Sequence, residues 1–428
     1  MGNSKSRLAL SRGNHPHSAS TSSQGNSDPK QAMSSPPRRQ HTSSPTPSPS
    51  KPKQPTSRIP FYIADALRDP ELLSDNWFTL AQLESRRQQA SRESLVRTQF
   101  AKPPEVARYS ITQSAKNNIR NRYQNVAPYD LNAVRVGEDD LGKGQGMYLN
   151  ASWVRERAGG ALWIASQAPL PNTHFEFLAL CTDITPKHKR VRTIVQLTPW
   201  VEKRFQAAHP YFPNEVGDSI IINRMPHPSD HLHASKTRLR VTVARKRVIT
   251  EADCIVRSLE VRYEGWPEGE SPVFEVRHLA YDNWADHGVP DSASTAYWLA
   301  ILADRLNRMP HTPEPGKAVD PTPPPILVHC SAGVGRTGTF IAMCSLLRTF
   351  NLLPLAARPE WDTYVPEASA LGPLPDELHE DLILQEVNAL REQRIMMVQM
   401  PDQMAFIYEV LAMTLSGKFE GRLPPDSA

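Results

Sequence analysis

Between Tyr148 and Tyr281 the chain carries short apolar runs of strand length. Residues 161–165 and 193–197 are strand-like runs of this kind. Residues 239–243, 258–263 and 273–279 alternate apolar and polar positions, which predicts antiparallel neighbours with one wet face. A further apolar run, Ile326-Leu327-Val328, follows Pro323-Pro324-Pro325 and reads as a buried strand of a mixed or parallel sheet. Helical spacing takes over at 296–308, 337–350, 377–394 and 403–415, and a charged helical pattern with sparse leucines runs from Asn76 to Gln99. Strands in the middle with helices around them predict an α/β domain on a large twisted mixed β-sheet. The Pro-rich stretches 311–325 and 356–375 read as loops, and no internal repeat is visible.

Composition changes this picture at the N-terminus. The chain has 428 residues, 39% of them apolar, and 40 prolines, about twice the usual share of roughly 5%. Residues 1–58 are rich in Ser, Pro, Gln, Asn and His and nearly free of large apolar side chains. Such a segment cannot bury enough surface to offset its ordering entropy, so a disordered tail is expected there. Ordered sequence then begins near Ile59 and runs to about 418, with 419–428 as a short C-terminal tail. The net charge of +4 hides an asymmetry: residues 1–59 hold four Lys, five Arg and one acidic residue, Asp28, so the tail is basic and the folded part mildly acidic.

The opening Met-Gly-Asn-Ser-Lys-Ser fits the N-myristoylation pattern at Gly2, against the plainer reading of a flexible terminus. One acyl chain holds a membrane only marginally; Lys5, Arg7, Arg12, Arg38 and Arg39 would add attraction to anionic lipids. No aromatic residues interleave these charges, which disfavours nucleic acid as the partner. The Ser-Pro and Thr-Pro pairs at Ser35, Ser44, Thr46 and Ser48 resemble proline-directed kinase sites, or arise from composition alone. No apolar run reaches the ~18–20 residues of a membrane span and no hydrophobic signal region opens the chain. Four cysteines, Cys181, Cys254, Cys330 and Cys344, form neither a disulfide framework nor a metal-ligand spacing. A reduced, cytoplasmic setting is expected, with the protein peripheral at a membrane if Gly2 is acylated, and no metal or cofactor.

The chemistry concentrates after the strand at 326. His329-Cys330-Ser331-Ala332-Gly333-Val334-Gly335-Arg336-Thr337-Gly338 breaks into a loop of small residues and then turns helical. Strand, tight loop and helix start make an anion site, because loop amides converge and the helix N-terminus adds partial positive charge. A cysteine at its mouth is favoured as thiolate, and an arginine six positions on can fork two hydrogen bonds onto an oxyanion. This predicts a nucleophile waiting for a phosphate. Cys181, Cys254 and Cys344 read as small buried hydrophobes.

That string resembles the signature loop of the protein tyrosine phosphatases, in the phosphotyrosine-specific branch, and the resemblance extends over about 115–412. Asn121-Arg122-Tyr123-Gln124-Asn125 resembles the family's phosphotyrosine-recognition loop. The match implies that Tyr123 stacks on the substrate ring and sets the depth of the slot, and that Asn125 holds the substrate backbone. Tyr148-Leu149-Asn150-Ala151-Ser152 and Gln167-Ala168-Pro169-Leu170 resemble scaffold motifs with packing roles. Glu202 matches the glutamate that orients the signature arginine; the lysine usual five residues later is Ala207. Trp284-Ala285-Asp286-His287-Gly288-Val289-Pro290 resembles the movable acid loop, with Ala285 in place of a proline. For His287 a local structural contact is the expectation. Arg391-Glu392-Gln393-Arg394 and Val398-Gln399-Met400-Pro401-Asp402-Gln403 resemble the last motif, and Met396 stands where many members have a glycine that opens a side groove.

The resemblance implies a two-step hydrolysis of phosphotyrosine on signalling proteins. Cys330 attacks phosphorus while Arg336 and the backbone of Ser331, Ala332, Gly333, Val334 and Gly335 hold the equatorial oxygens. Asp286 protonates the leaving tyrosine and then acts as base on a water placed by Gln399, with Gln403 nearby. Thr337 stabilises the thiolate, and His329 and Glu202 orient the site. Ala285 and Ala207 motivate a rival reading, a catalytically weak phosphotyrosine-binding pseudophosphatase; a dual-specificity phosphatase is the second rival, disfavoured by Tyr123.

Overall fold

The computed structural model describes residues 59–96, 102–137, 146–225, 234–267, 269–309, 323–356, 358, 364–366, 368–419 and 423. The basic tail at 1–58 with Gly2 and the Ser-Pro pairs, most of the loop at 311–325 and nearly all of 419–428 lie outside the described residues. From Thr56 onward the chain forms one structural unit.

Helices open the chain: α1 (Phe61–Arg68), α2 (Pro70–Val96), α3 (Pro104–Arg108) and α4 (Thr112–Lys116). Strands follow as β1 (Ala133–Val136), β2 (Met147–Arg155), β3 (Leu162–Ser166) and, after α5 (His174–Ala179), β4 (Thr193–Gln196). A two-stranded hairpin, β5 (Val201–Glu202) and β6 (Phe205–Gln206), precedes β7 (Ser219–Asn223), β8 (Arg238–Ile249), β9 (Cys254–Tyr263) and β10 (Phe274–Ala280). The rest is α6 (Ala293–Arg308), β11 (Ile326–His329), α7 (Gly335–Thr349), α8 (Leu382–Arg391) and α9 (Pro401–Leu415).

Nine strands form one mixed sheet in the order β1-β2-β3-β11-β4-β10-β9-β8-β7. Its centre is parallel: β11 pairs in parallel with β3 and β4, and β4 with β10. All four residues of β11 and of β4 are buried, polar Thr193, Gln196 and His329 among them, as central strands covered on both faces are. Alternate side chains of β11 divide between the two cores. Ile326 and Val328 join the cluster under α6, α7, α8 and α9, and Leu327 the cluster holding Phe175, Phe177 and Leu178 of α5. Truncating any of them to alanine would cost about 2–5 kcal/mol. The alternating strands β8 and β9 bear their pattern out, with buried positions every second residue over most of their length.

Helix α7 is buried on every side from Gly335 to Arg348, its polar Arg336, Thr337, Thr339, Ser345 and Arg348 included. It begins two residues before the expected start, which puts Arg336 in its first turn. The long helix expected at 377–394 is shorter. Asp381 is its N-cap, accepting from the amides of Ile383 (2.9 Å) and Leu384 (3.1 Å), so α8 starts only at Leu382. The strands β1, β5, β6 and β7 are only two to five residues long, too short for periodicity to mark them. Among the described residues no helix is long and apolar enough to cross a membrane.

Candidate active site

β11 ends at His329, at the centre of the sheet, and the chain turns there into the loop 330–334 before α7. A ligand crevice at the carboxyl ends of parallel strands is the expected place for a site in such a sheet. Gly333 makes the turn possible: its φ is +74°, and a Cβ would lie 2.1 Å from the Ser166 carbonyl oxygen. Gly338 lets α7 press against the backbone of 397–398, where a Cβ would sit 2.4 Å from the Val398 nitrogen.

The cysteine is 3% exposed, and burial alone would push its thiol up. The Arg336 charge, the Thr337 hydroxyl and amide, and the Gly333 amide outweigh burial and hold it below the ordinary thiol value. The Gly333 amide lies 3.2 Å from Sγ. The buried Thr337 hydroxyl has no other hydrogen-bond partner among the described residues, which leaves its dipole to act on the sulfur. The other three cysteines are equally buried but lack these donors. Burial pushes Cys181 and Cys254 up to about 12, and Cys344 well up.

Arg336 is 2% exposed and fully engaged. Its Nη1 donates to Glu202 Oε1 and to the Trp284 carbonyl (2.9 Å); its Nη2 donates to Glu202 Oε2 (3.2 Å) and to Asp286 Oδ1 (3.1 Å). The forked pair with Glu202 fixes the guanidinium plane. Thr198 in turn donates to Glu202 Oε1 at 3.1 Å. The segment 284–290 therefore lies down over the loop, pinned by Trp284, whose buried indole donates to the Gly288 carbonyl (3.0 Å) and which bridges to Pro290. His287 sits at φ +57° with Nε2 3.7 Å from Asp286 Oδ2.

Cys330, Arg336, Asp286, Gln399, Tyr123, Asn125, Ser331, Ala332, Gly335 and Gln403 all line one cavity of about 280 Å³. Gly333, Val334, Thr337, Glu202 and His329 stand behind its wall. Tyr123 hydrogen-bonds through its hydroxyl to Ser331 Oγ (2.8 Å), and Ser331 donates to the Ala207 carbonyl (2.7 Å). Gln403 is 1% exposed: its Oε1 accepts from the Gln399 and Met400 amides and its Nε2 donates to the Gly288 carbonyl (3.2 Å). It ties the segment 399–400 to the segment 284–290. His329 is buried, and burial lowers it to about 4, so it is neutral and shares a proton network with Tyr211 (2.9 Å) and the Cys330 carbonyl (3.1 Å).

One organising residue carried no assigned role in the sequence reading. Arg394 is fully buried and donates to the carbonyls of Gly333 (2.8 Å) and Ala332 (3.1 Å), to Asn150 Oδ1 (2.9 Å) and to Ser152 Oγ (3.2 Å). Holding those carbonyls on the far side leaves the loop amides turned inward. Asn150, Ser152, Tyr148 and Gln167 thus do more than pack. Asn150 Nδ2 and Tyr148 Oη both reach Asn121 Oδ1, and Gln167 Oε1 accepts from the Arg122 amide at 2.8 Å, bracing the turn that presents Tyr123.

The protein-tyrosine phosphatase family model matches residues 117–353, more than half of the chain. The chain belongs to the protein-tyrosine phosphatase family. It is 30% identical over 379 residues to tyrosine-protein phosphatase 1 of Saccharomyces cerevisiae, covering 82% of this chain and 95% of that protein. It is 29% identical over 307 residues to protein-tyrosine-phosphatase PTP1 of Arabidopsis thaliana, covering 71% and 72%. A solved structure concerning the PTPN18 fingerprint on HER2 tyrosine phosphorylation sites shares the fold, with TM-score 0.54 at 22% identity, over 82% of this chain and 99% of that one. The activity of this phosphatase is accordingly hydrolysis of phosphotyrosine on proteins.

Proposed function

We propose that residues 59–418 form the catalytic domain and that hydrolysis runs through a cysteinyl-phosphate on Cys330. The observation that carries this reading is the setting of the Cys330 sulfur, which has the Gly333 amide at 3.2 Å and faces a cavity that Arg336 and Asp286 also line. Sγ forms the bond to phosphorus as the bond to the tyrosine oxygen breaks, and Asp286 delivers the proton to that oxygen. Arg336 and the amides of 331–335 take the charge of the equatorial oxygens. Gln399 places the water that then cleaves the S–P bond, its proton passing to Asp286, and inorganic phosphate leaves. Tyr123 and Asn125 flank the entering ring.

Substrates are phosphotyrosine proteins of signalling, a reading supported by the solved complex of PTPN18 with HER2 phosphopeptides, which shares the fold. A cytoplasmic location, with weak attachment to a membrane surface through Gly2 and the tail's basic residues, follows from sequence alone. Turnover of a phosphotyrosine peptide by the wild type, lost in Cys330→Ser, tests the mechanism. Comparable rates on a phosphothreonine peptide would favour dual specificity, and an inactive wild type would favour the pseudophosphatase that Ala285 and Ala207 suggest.

A further inference from the structure

The hairpin β5–β6 is joined by two residues, Lys203 and Arg204, at φ +44° and +73°. A tight turn of this kind favours Asn-Gly, since side-chain-bearing residues crowd their own backbone there. The turn therefore keeps two basic side chains against its own steric interest. Both are exposed, and neither has a carboxylate partner among the described residues. Phe205, next in line, is 77% exposed, the most exposed aromatic ring among the described residues.

Register sets this ring beside the carboxylate that holds Arg336. Phe205 pairs directly with Glu202, and directly opposed residues share one face of a hairpin. Glu202 on that face reaches in to Arg336. The hairpin is also fastened to both walls of the pocket. Arg122, beside Tyr123, donates to the Gln206 carbonyl (3.2 Å), and Ser331 donates to the Ala207 carbonyl (2.7 Å). A phosphotyrosine whose ring enters beside Tyr123 must carry its flanking residues across this rim. In the recognition loop the Arg122 guanidinium is taken up by the carbonyls of Ala168, Pro169 and Gln206, and Gln124 and Asn125 are neutral, which leaves the exposed Lys203 and Arg204 to offer charge from the hairpin side.

We infer that Phe205, Lys203 and Arg204 form a specificity surface for phosphotyrosine peptides bearing a bulky apolar side chain beside acidic residues. The surface rests on the reading of the cavity as the phosphotyrosine site. Apolar contact with Phe205 supplies one preference and charge attraction the other, so the second weakens with salt.

Binding tests it without relying on turnover. Peptides carrying a non-hydrolysable difluorophosphonate analogue of phosphotyrosine, with flanks Leu-Glu-Glu, Ser-Glu-Glu and Leu-Gln-Gln, would be titrated by fluorescence anisotropy. The wild type is expected to favour the first over either other peptide by about fivefold. Phe205→Ser should abolish the Leu preference, and Phe205→Leu should restore most of it. Lys203→Gln with Arg204→Gly should abolish the Glu preference and its salt dependence. Affinities within twofold for all three peptides, or preferences that survive these variants, would overturn the surface. A wild type that binds the analogues yet hydrolyses none of the parent phosphopeptides would overturn the hydrolytic mechanism, while the binding comparison still decides the surface.

Discussion

Cys330 differs from Cys344, fourteen residues along the same strand-to-helix segment, in neighbours rather than in burial. Both are nearly inaccessible, yet one thiol is held down and the other pushed up. Donors decide it, and the donors point inward because Arg394 holds the loop's carbonyls outward. Arg394→Met should therefore leave those carbonyls unpaired and let the loop relax. We expect a drop in kcat of about 100-fold, the scale for losing preorganised oxyanion donors, and a rise in the pH midpoint of Cys330 alkylation by iodoacetate. A folded protein with an unchanged alkylation profile would contradict this. Ala285 is the second residue with a distinct consequence. Its amide donates to no backbone acceptor among the described residues, so a proline there forfeits no such hydrogen bond. Ala285→Pro should restrict the backbone of the segment 284–290 and raise kcat about two- to fivefold, read in stopped-flow turnover at saturating substrate.

At the scale of elements, the sequence marked what periodicity can mark. The strand at 326, the loop after it and the helix that follows were legible because apolar run, small residues and helical spacing succeed one another in order. The recognition loop and acid loop were legible only by resemblance. Arg394 was not, because nothing local distinguishes an arginine that will fold back onto a loop some sixty residues earlier. The start of α8 was misplaced for a related reason: helical spacing continues upstream of Asp381, and only its side chain, turned onto two amides, stops the helix. Asp381 also accepts from the buried Tyr408 hydroxyl (2.6 Å), coupling the α8 cap to α9. Asp381→Ala should cost about 2 kcal/mol, the upper end for a lost cap, and Asp381→Asn distinctly less, by urea denaturation. Equal losses in the two variants would mean that the cap is not the source.

Over the whole molecule, buried charge sits where the helices meet the sheet. Glu386 of α8 is fully buried and accepts from the amides of Arg157 (3.2 Å) and Ala158 (3.1 Å), the connection from β2 to β3. Burial, and next the charge of Glu156, push Glu386 up to about 7. A carboxyl raised on folding binds its proton more tightly in the native state, so its contribution to stability is fully present below about pH 4.5 and is lost as pH rises through 7. Every tenfold gain in proton affinity on folding is worth about 1.4 kcal/mol. Glu386→Gln should flatten the decline in stability between pH 5 and pH 8, measured by denaturant titration across that range; an unchanged slope would assign the decline to other groups.

The engagement of Arg336 with both Glu202 and Asp286 governs how substrate arrives. The guanidinium is already neutralised, so an incoming phosphate does not fall onto a bare cation. It trades places with a carboxylate, and the trade frees Asp286 for the proton transfer proposed above. Entry is thus an ion exchange at a single seat. The displaced carboxylate stays on the chain beside the phosphate, and salt screens the repulsion between them, so oxyanion affinity in the pocket itself should fall less steeply with ionic strength than it would at a bare cation.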